Sequence, residues 1–322
     1  MRFRPVAGAM VLAAGGALTQ AHTPAPTAAQ TPPPTEIYLA PFVEGEGKTR
    51  RVLFLAFDSI GVSVRDPINI TNNPGYDNQP YFLPDSSALL FSSNRDGKQN
   101  DICRYEIASK QLTQVTRTPE NEYSPTITPD GRTFTTVRGV EQRLWRFNPD
   151  GSDAGLAYAH KGLIGYHAWL SPTQLGTFIL GADGGPNTLQ LIDLASGSAD
   201  VIASNIGRSL HVRPGTGTLS FVDKSDKDVW AIKELDPATR KIKLVTIALE
   251  DSEDMAWTPK GAIVMGAGSK LYAWIPSEGD RWIQIADVKK FGITAITRLA
   301  VSPDGKWLAI VSTPAVKQQT SS

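Results

Sequence analysis

Apolar residues come in short runs that repeat along the chain. Each run leads into a proline and a turn pair, then resumes as a second apolar run. The clearest copies are SPTITPDGRTFTTV (124–137) and RLAVSPDGKWLAIV (298–311). Looser copies stand at 79–92, 167–180, 209–222 and 254–266. Their shared prolines are Pro84, Pro129, Pro172, Pro214, Pro259 and Pro303, at intervals of 45, 43, 42, 45 and 44. Proline presets φ for the first central turn position and glycine takes the left-handed one, so each copy predicts a β-hairpin. A third run follows each hairpin, opening at Ile102, Leu144, Leu189, Val229 and Leu271. A fourth follows at 111–115, 155–159, 199–203, 242–246 and 282–286. Four strands per unit at this period predict a β-propeller of six blades.

The last copy has only two strands before the chain stops, and the missing pieces lie at the front. EIYLAPFV (36–43) matches the third strands and PINIT (67–71) the fourth. Blade six is therefore expected to take strands from both termini, which removes free sheet edges. The stretch 44–65 interrupts this blade; its VLFLAF segment predicts an extra outer strand or an elaborated hairpin.

The front of the chain follows another pattern. Residues 1–21 carry Arg2 and Arg4, an uncharged apolar run and small residues before Ala21. That is the pattern of a secretory signal peptide, so a periplasmic or secreted protein is expected. Residues 22–35 are rich in Pro, Thr and Ala and read as an extended linker. The propeller is placed at 36–313, with 314–322 as a disordered tail. The leader's apolar run is too short to span a bilayer, and no other stretch reaches that length.

Composition narrows the function. The chain has 322 residues, with 32 basic and 32 acidic side chains. This balance lacks the basic face that a nucleic-acid partner needs. The single cysteine, Cys103, forms no internal disulfide and no paired-cysteine metal site. It falls where other blades carry Trp145, Trp230 or Tyr272, a recurrence that reads as blade packing. A monomer is expected, and no cofactor is implied.

LPDSSALLFSSNRDGKQNDICRYEI (83–107), TPDGRTFTTVRGVEQRLWRF (128–147) and SPDGKWLAIVS (302–312) carry a resemblance. They resemble the TolB-like (WD40-like) β-propeller repeats of bacterial envelope proteins, although no GH…WD signature recurs. The resemblance implies an exported propeller that binds a protein or peptide of the cell envelope at its central channel, without chemistry of its own.

Motifs for chemistry are sparse. GEGKT (45–49) ends like a phosphate-binding loop but lacks the first glycine and the following helix. No G-x-S-x-G elbow occurs, and His22, His160, His167 and His211 form no close pair. The candidates come from the repeat itself. First strands line a propeller's channel, so residues five to seven places before each proline belong to one mouth. They are Asp77 and Gln79, Glu122 and Ser124, His167, Arg208 and Ser209, Glu253 and Asp254, and Arg298. This mixed-charge mouth suits a peptide or protein ligand. The alternative is a calcium-type metal-dependent hydrolase resembling lactonase propellers, with Asp77, Glu122 and Asp254 as weak candidate oxygen ligands.

Overall fold

The computed structural model describes residues 32–45 and 62–314. The signal-peptide segment, most of the linker, VLFLAF and residues 315–322 lie outside them. Six antiparallel sheets form the blades, five of four strands and one of five. In blade one the strands are Asp77–Phe82, Ala88–Ser93, Asp101–Glu106 and Leu112–Gln114. The first strands of the other blades are Glu122–Ile127, Ile164–Ser171, Ile206–Val212, Met255–Trp257 and Ile296–Val301. Each contacts the first strand of the next blade, and the sixth contacts the first. The ring is closed.

Blade six takes strands from both ends of the chain, as expected. Trp307–Ser312 pairs with Glu36–Glu44, Ile37 lying opposite Val311. Ile68–Asn69 follows on the outside. The described end of the 44–65 stretch, Val62–Val64, folds back on Phe42–Glu44 as the fifth strand.

The hairpin turns have the chemistry read from their sequences. Gly131 and Gly305 stand at φ 68° and 69°. Asp130 Oδ1 accepts the Thr128 hydroxyl at 2.7 Å and the Arg132 N–H at 3.1 Å. Asp304 does the same with Ser302 and Lys306. In blade one Ser86 occupies the left-handed position, at φ 61°.

The core lies between the blades, not within them. Six buried apolar clusters each draw on two neighbouring blades. Leu90 and Ile102 of blade one meet Phe134 and Phe147 of blade two, for example, and Ile37 and Val311 of blade six meet Phe82 and Phe91 of blade one. Second strands are covered on both faces, so Ala88–Ser93 is buried throughout rather than alternating. Cys103 is buried at such an interface, where burial raises its thiol pKa to about 11.

One strand expectation is corrected. The third strand of blade four is Ala231–Leu235, and Ile232, not Val229, fills the buried place opposite Val222. The charged loop SDKD (225–228) lengthens this hairpin and leaves Val229 45% exposed.

Candidate functional site

The first strands do not run straight into the channel. Five of them break register near their starts, between Asn78 and Tyr81 in blade one and between Tyr123 and Thr126 in blade two. In these two blades a proline, Pro80 or Pro125, removes a ladder donor at the break. The residue before it turns left-handed: Gln79 at φ 60° and Ser124 at φ 54°. Such bulges re-aim side chains.

The places five before each proline form a girdle. Gln79 Oε1 accepts the Ser124 N–H of the next blade at 2.8 Å and the Ser92 hydroxyl at 2.8 Å. Ser124 Oγ donates to the Gly165 carbonyl of blade three at 3.3 Å. Ser209 Oγ accepts the Met255 N–H at 3.1 Å, joining blades four and five. Asp254 Oδ1 accepts the Leu299 N–H at 3.1 Å, joining blades five and six. Part of the sequence-derived set therefore holds neighbouring blades together.

Seven of the ten candidates line one central cavity of about 430 Å³: Gln79, Ser124, His167, Arg208, Ser209, Asp254 and Arg298. Asp77, Glu122 and Glu253 do not. Asp77 is fully buried, accepting from Ser93 Oγ at 2.5 Å and Asn73 Nδ2 at 3.0 Å. Glu122 is equally buried and accepts from the hydroxyls of Thr116 and Thr118. Burial raises their pKa values to about 6 and about 7. These two carboxylates tie blade entries to the preceding loops. A spacing shared by the two repeats marks them: Asn73 stands four residues before Asp77, and Thr118 four before Glu122. Glu253 faces a neighbouring cavity of about 660 Å³, where its Oε2 meets Lys224 Nζ at 2.9 Å and Lys224 lies 4.1 Å from the Trp230 ring.

The charged lining of the central cavity is Arg208, Asp254 and Arg298. Asp254 Oδ2 stands 3.6 Å from Arg208 Nε and 3.8 Å from Arg298 Nε. These separations are ion pairs but too long for hydrogen bonds. Asp254 Oδ2 and both Nε atoms lack hydrogen-bond partners, as does His167 Nδ1. His167 Nε2 lies 2.7 Å from Thr135 Oγ1, and burial lowers its pKa to about 3. Burial also lowers that of His211. Both rings are neutral at physiological pH, so the cavity carries one excess positive charge.

Tyr81, Tyr166 and Trp169 supply the aromatic part of the wall, with Tyr76 and Tyr123 outside its lining, and the repeat count passed over them. Arg298 lies 4.8 Å from the Tyr166 ring centroid. Tyr76 packs edge-on against Tyr123 at 6.3 Å, its phenol pKa raised mainly by burial. Burial alone would lower the Arg298 pKa; Asp254, Tyr166 and Tyr76 outweigh it and hold the group charged. Tyr123 and Tyr166 both stand six places before their prolines, inside the window already counted, so reading every residue type there finds them.

Among the described residues no group of three or more His, Cys, Asp or Glu is placed to hold a metal ion. Asp77, Glu122 and Asp254 each have the separate surroundings given above.

A candidate TolB of Agrobacterium tumefaciens superposes with a TM-score of 0.61 over 87% of this chain and 98% of its own, at 15% identity. The fold is that of a TolB-like propeller. The calcium-binding protein regucalcin of A. tumefaciens strain C58 gives 0.53 over 74% and 91%, at 13% identity. An oligogalacturonate lyase in complex with manganese gives 0.52 over 79% and 82%, at 14% identity. No protein-family model and no curated protein matches the sequence. At these identities the TolB-like likeness is one of fold, shared by proteins of different activity.

Proposed function

We propose that this chain is an exported, non-enzymatic binding module that engages a protein or peptide of the cell envelope in its central channel. The observation that carries the reading is the cavity: all six blades line it, and Arg208, Asp254 and Arg298 stand on its wall beside tyrosine and proline surfaces. An extended peptide supplies both hydrogen-bonding groups and apolar side chains, which such a wall can recognise. The secretory pattern of residues 1–21 supports export, and the unit is proposed to act as a monomer. The calcium-type hydrolase alternative has less support, because Asp77 and Glu122 face hydroxyl groups and Asp254 faces two guanidiniums.

Photo-crosslinking in the producing cell tests this. Tyr81 lines the cavity, and a photoreactive phenylalanine analogue can replace it with little change of shape. The same analogue at Leu156, exposed on an outer strand, is the control. A discrete adduct with an envelope protein from position 81 alone is expected. Identical products from both positions, or none, would reject the binding role.

A further inference from the structure

The charges of the central cavity do not balance. Two guanidiniums but only one carboxylate line it, and Asp254 Oδ1 is already taken by the Leu299 N–H. Asp254 can therefore present only Oδ2, which stands beyond hydrogen-bond reach of either Nε. Glu253 does not make up the deficit: its Oε1 stands 3.7 Å from Arg208 Nε, but its Oε2 meets Lys224 Nζ at 2.9 Å, so three cations face two carboxylates and one positive charge is still in excess. Arg298 is confined, its side chain 13% exposed, while Arg208 is anchored by donating to the Thr297 carbonyl at 2.6 Å. An excess buried cation calls for an anion, and the planar guanidinium fork matches a carboxylate. The cavity is large enough for an organic ligand. The ring of Tyr166 under Arg298 adds a flat apolar surface beside the charge.

We infer that the cavity binds a ligand through one carboxylate, held by Arg298 and Arg208, with an apolar or aromatic group against the tyrosines. This rests on the binding role proposed above and names the ligand chemistry. A peptide C-terminus or acidic side chain supplies that chemistry, and so does a free sugar acid.

Calorimetry on the full propeller tests it with three probes: N-acetylphenylalanine, its uncharged amide, and glucuronate. The acid is expected to bind at least about tenfold more tightly than the amide, since charge-assisted hydrogen bonds are lost in the latter. Arg298→Gln should remove that preference. Asp254→Asn keeps the acceptor for Leu299 but deletes the competing charge, so it should tighten acid binding. A purely structural role for the cluster would weaken both variants alike. Equal affinity for acid and amide, or no tightening in Asp254→Asn, overturns the inference while leaving the Tyr81 adduct to judge the binding role. Binding of glucuronate but not N-acetylphenylalanine upholds the carboxylate site, overturns the apolar contact with the tyrosines and counts against a peptide occupant.

Discussion

Glu122 shows how a buried acid can set a pH dependence without touching a ligand. Its carboxylate is sealed from solvent, and burial holds its pKa near 7 against an ordinary 4.5. The folded state therefore keeps its proton where the unfolded chain has released it. For this group, stability is fully present below about pH 4.5 and is lost as pH rises through about 7. The difference corresponds to about 3 kcal/mol. Glutamine fits the same place: its oxygen can accept from Thr116, and its amide can donate to Thr118, whose own proton reaches the Glu120 carbonyl. Urea unfolding of Glu122→Gln between pH 4 and 8 should show a flatter profile than the parent and higher stability at pH 8. Parallel profiles would show that Glu122 is already ionised at neutral pH. The repeat count found this residue but not its duty. A polar side chain near a strand start serves a mouth and a blade latch equally well, and the spacing alone does not separate them. The hydroxyl partners do: Thr116 and Thr118 lie in the preceding loop, within a few residues of the acid.

At the level of elements, the interface between blades carries the fold, and one glycine marks how closely two blades approach. A Cβ on Gly176 would lie 2.2 Å from Leu219 Cδ2 of the next blade. Leu219 is fully buried in the cluster shared by blades three and four, so it has little room to turn aside. Gly176→Ala should cost roughly 1–3 kcal/mol by overpacking. Leu219→Ala should cost roughly 2–5 kcal/mol through the cavity it leaves. In the double variant the new methyl enters that cavity, so the combined loss should fall short of the sum. Chemical denaturation of the three variants checks this, and strict additivity would show that the two side chains do not meet. The strands themselves were legible because the hairpin prolines and turn pairs impose local geometry. Register was less so: in blade four Val229 and Ile232 are both aliphatic, and only the length of the charged loop decides which is buried. The girdle joining Gln79 to Ser124 and Asp254 to Leu299 was hidden for another reason. It consists of contacts between residues one repeat apart, which a single repeat cannot reveal.

For the whole molecule, the decisive feature is that the ring closes through the front strand. Residues 36–43 contribute to both interfaces of blade six. Ile37 and Leu39 enter the cluster shared with blade one, while Tyr38, Ala40 and Phe42 enter the one shared with blade five. Six backbone registers, from Glu36 opposite Ser312 to Pro41 opposite Trp307, align them with the last strand of the chain. Four large side chains buried at about 1.5–3 kcal/mol each amount to roughly 8 kcal/mol. That is comparable with the entire stability of an ordinary domain. In an open array the loss would fall on one end and spare distant repeats. In a closed ring it parts blade six from both neighbours at once, and the channel, which needs all six first strands, loses its wall. Deleting residues 36–43 should therefore abolish cooperative thermal unfolding rather than lower the midpoint slightly. A synthetic peptide of sequence EIYLAPFV, added in excess, should recover part of the transition if the remaining chain stays soluble. An unchanged midpoint after the deletion would show that the front strand does not hold the ring shut.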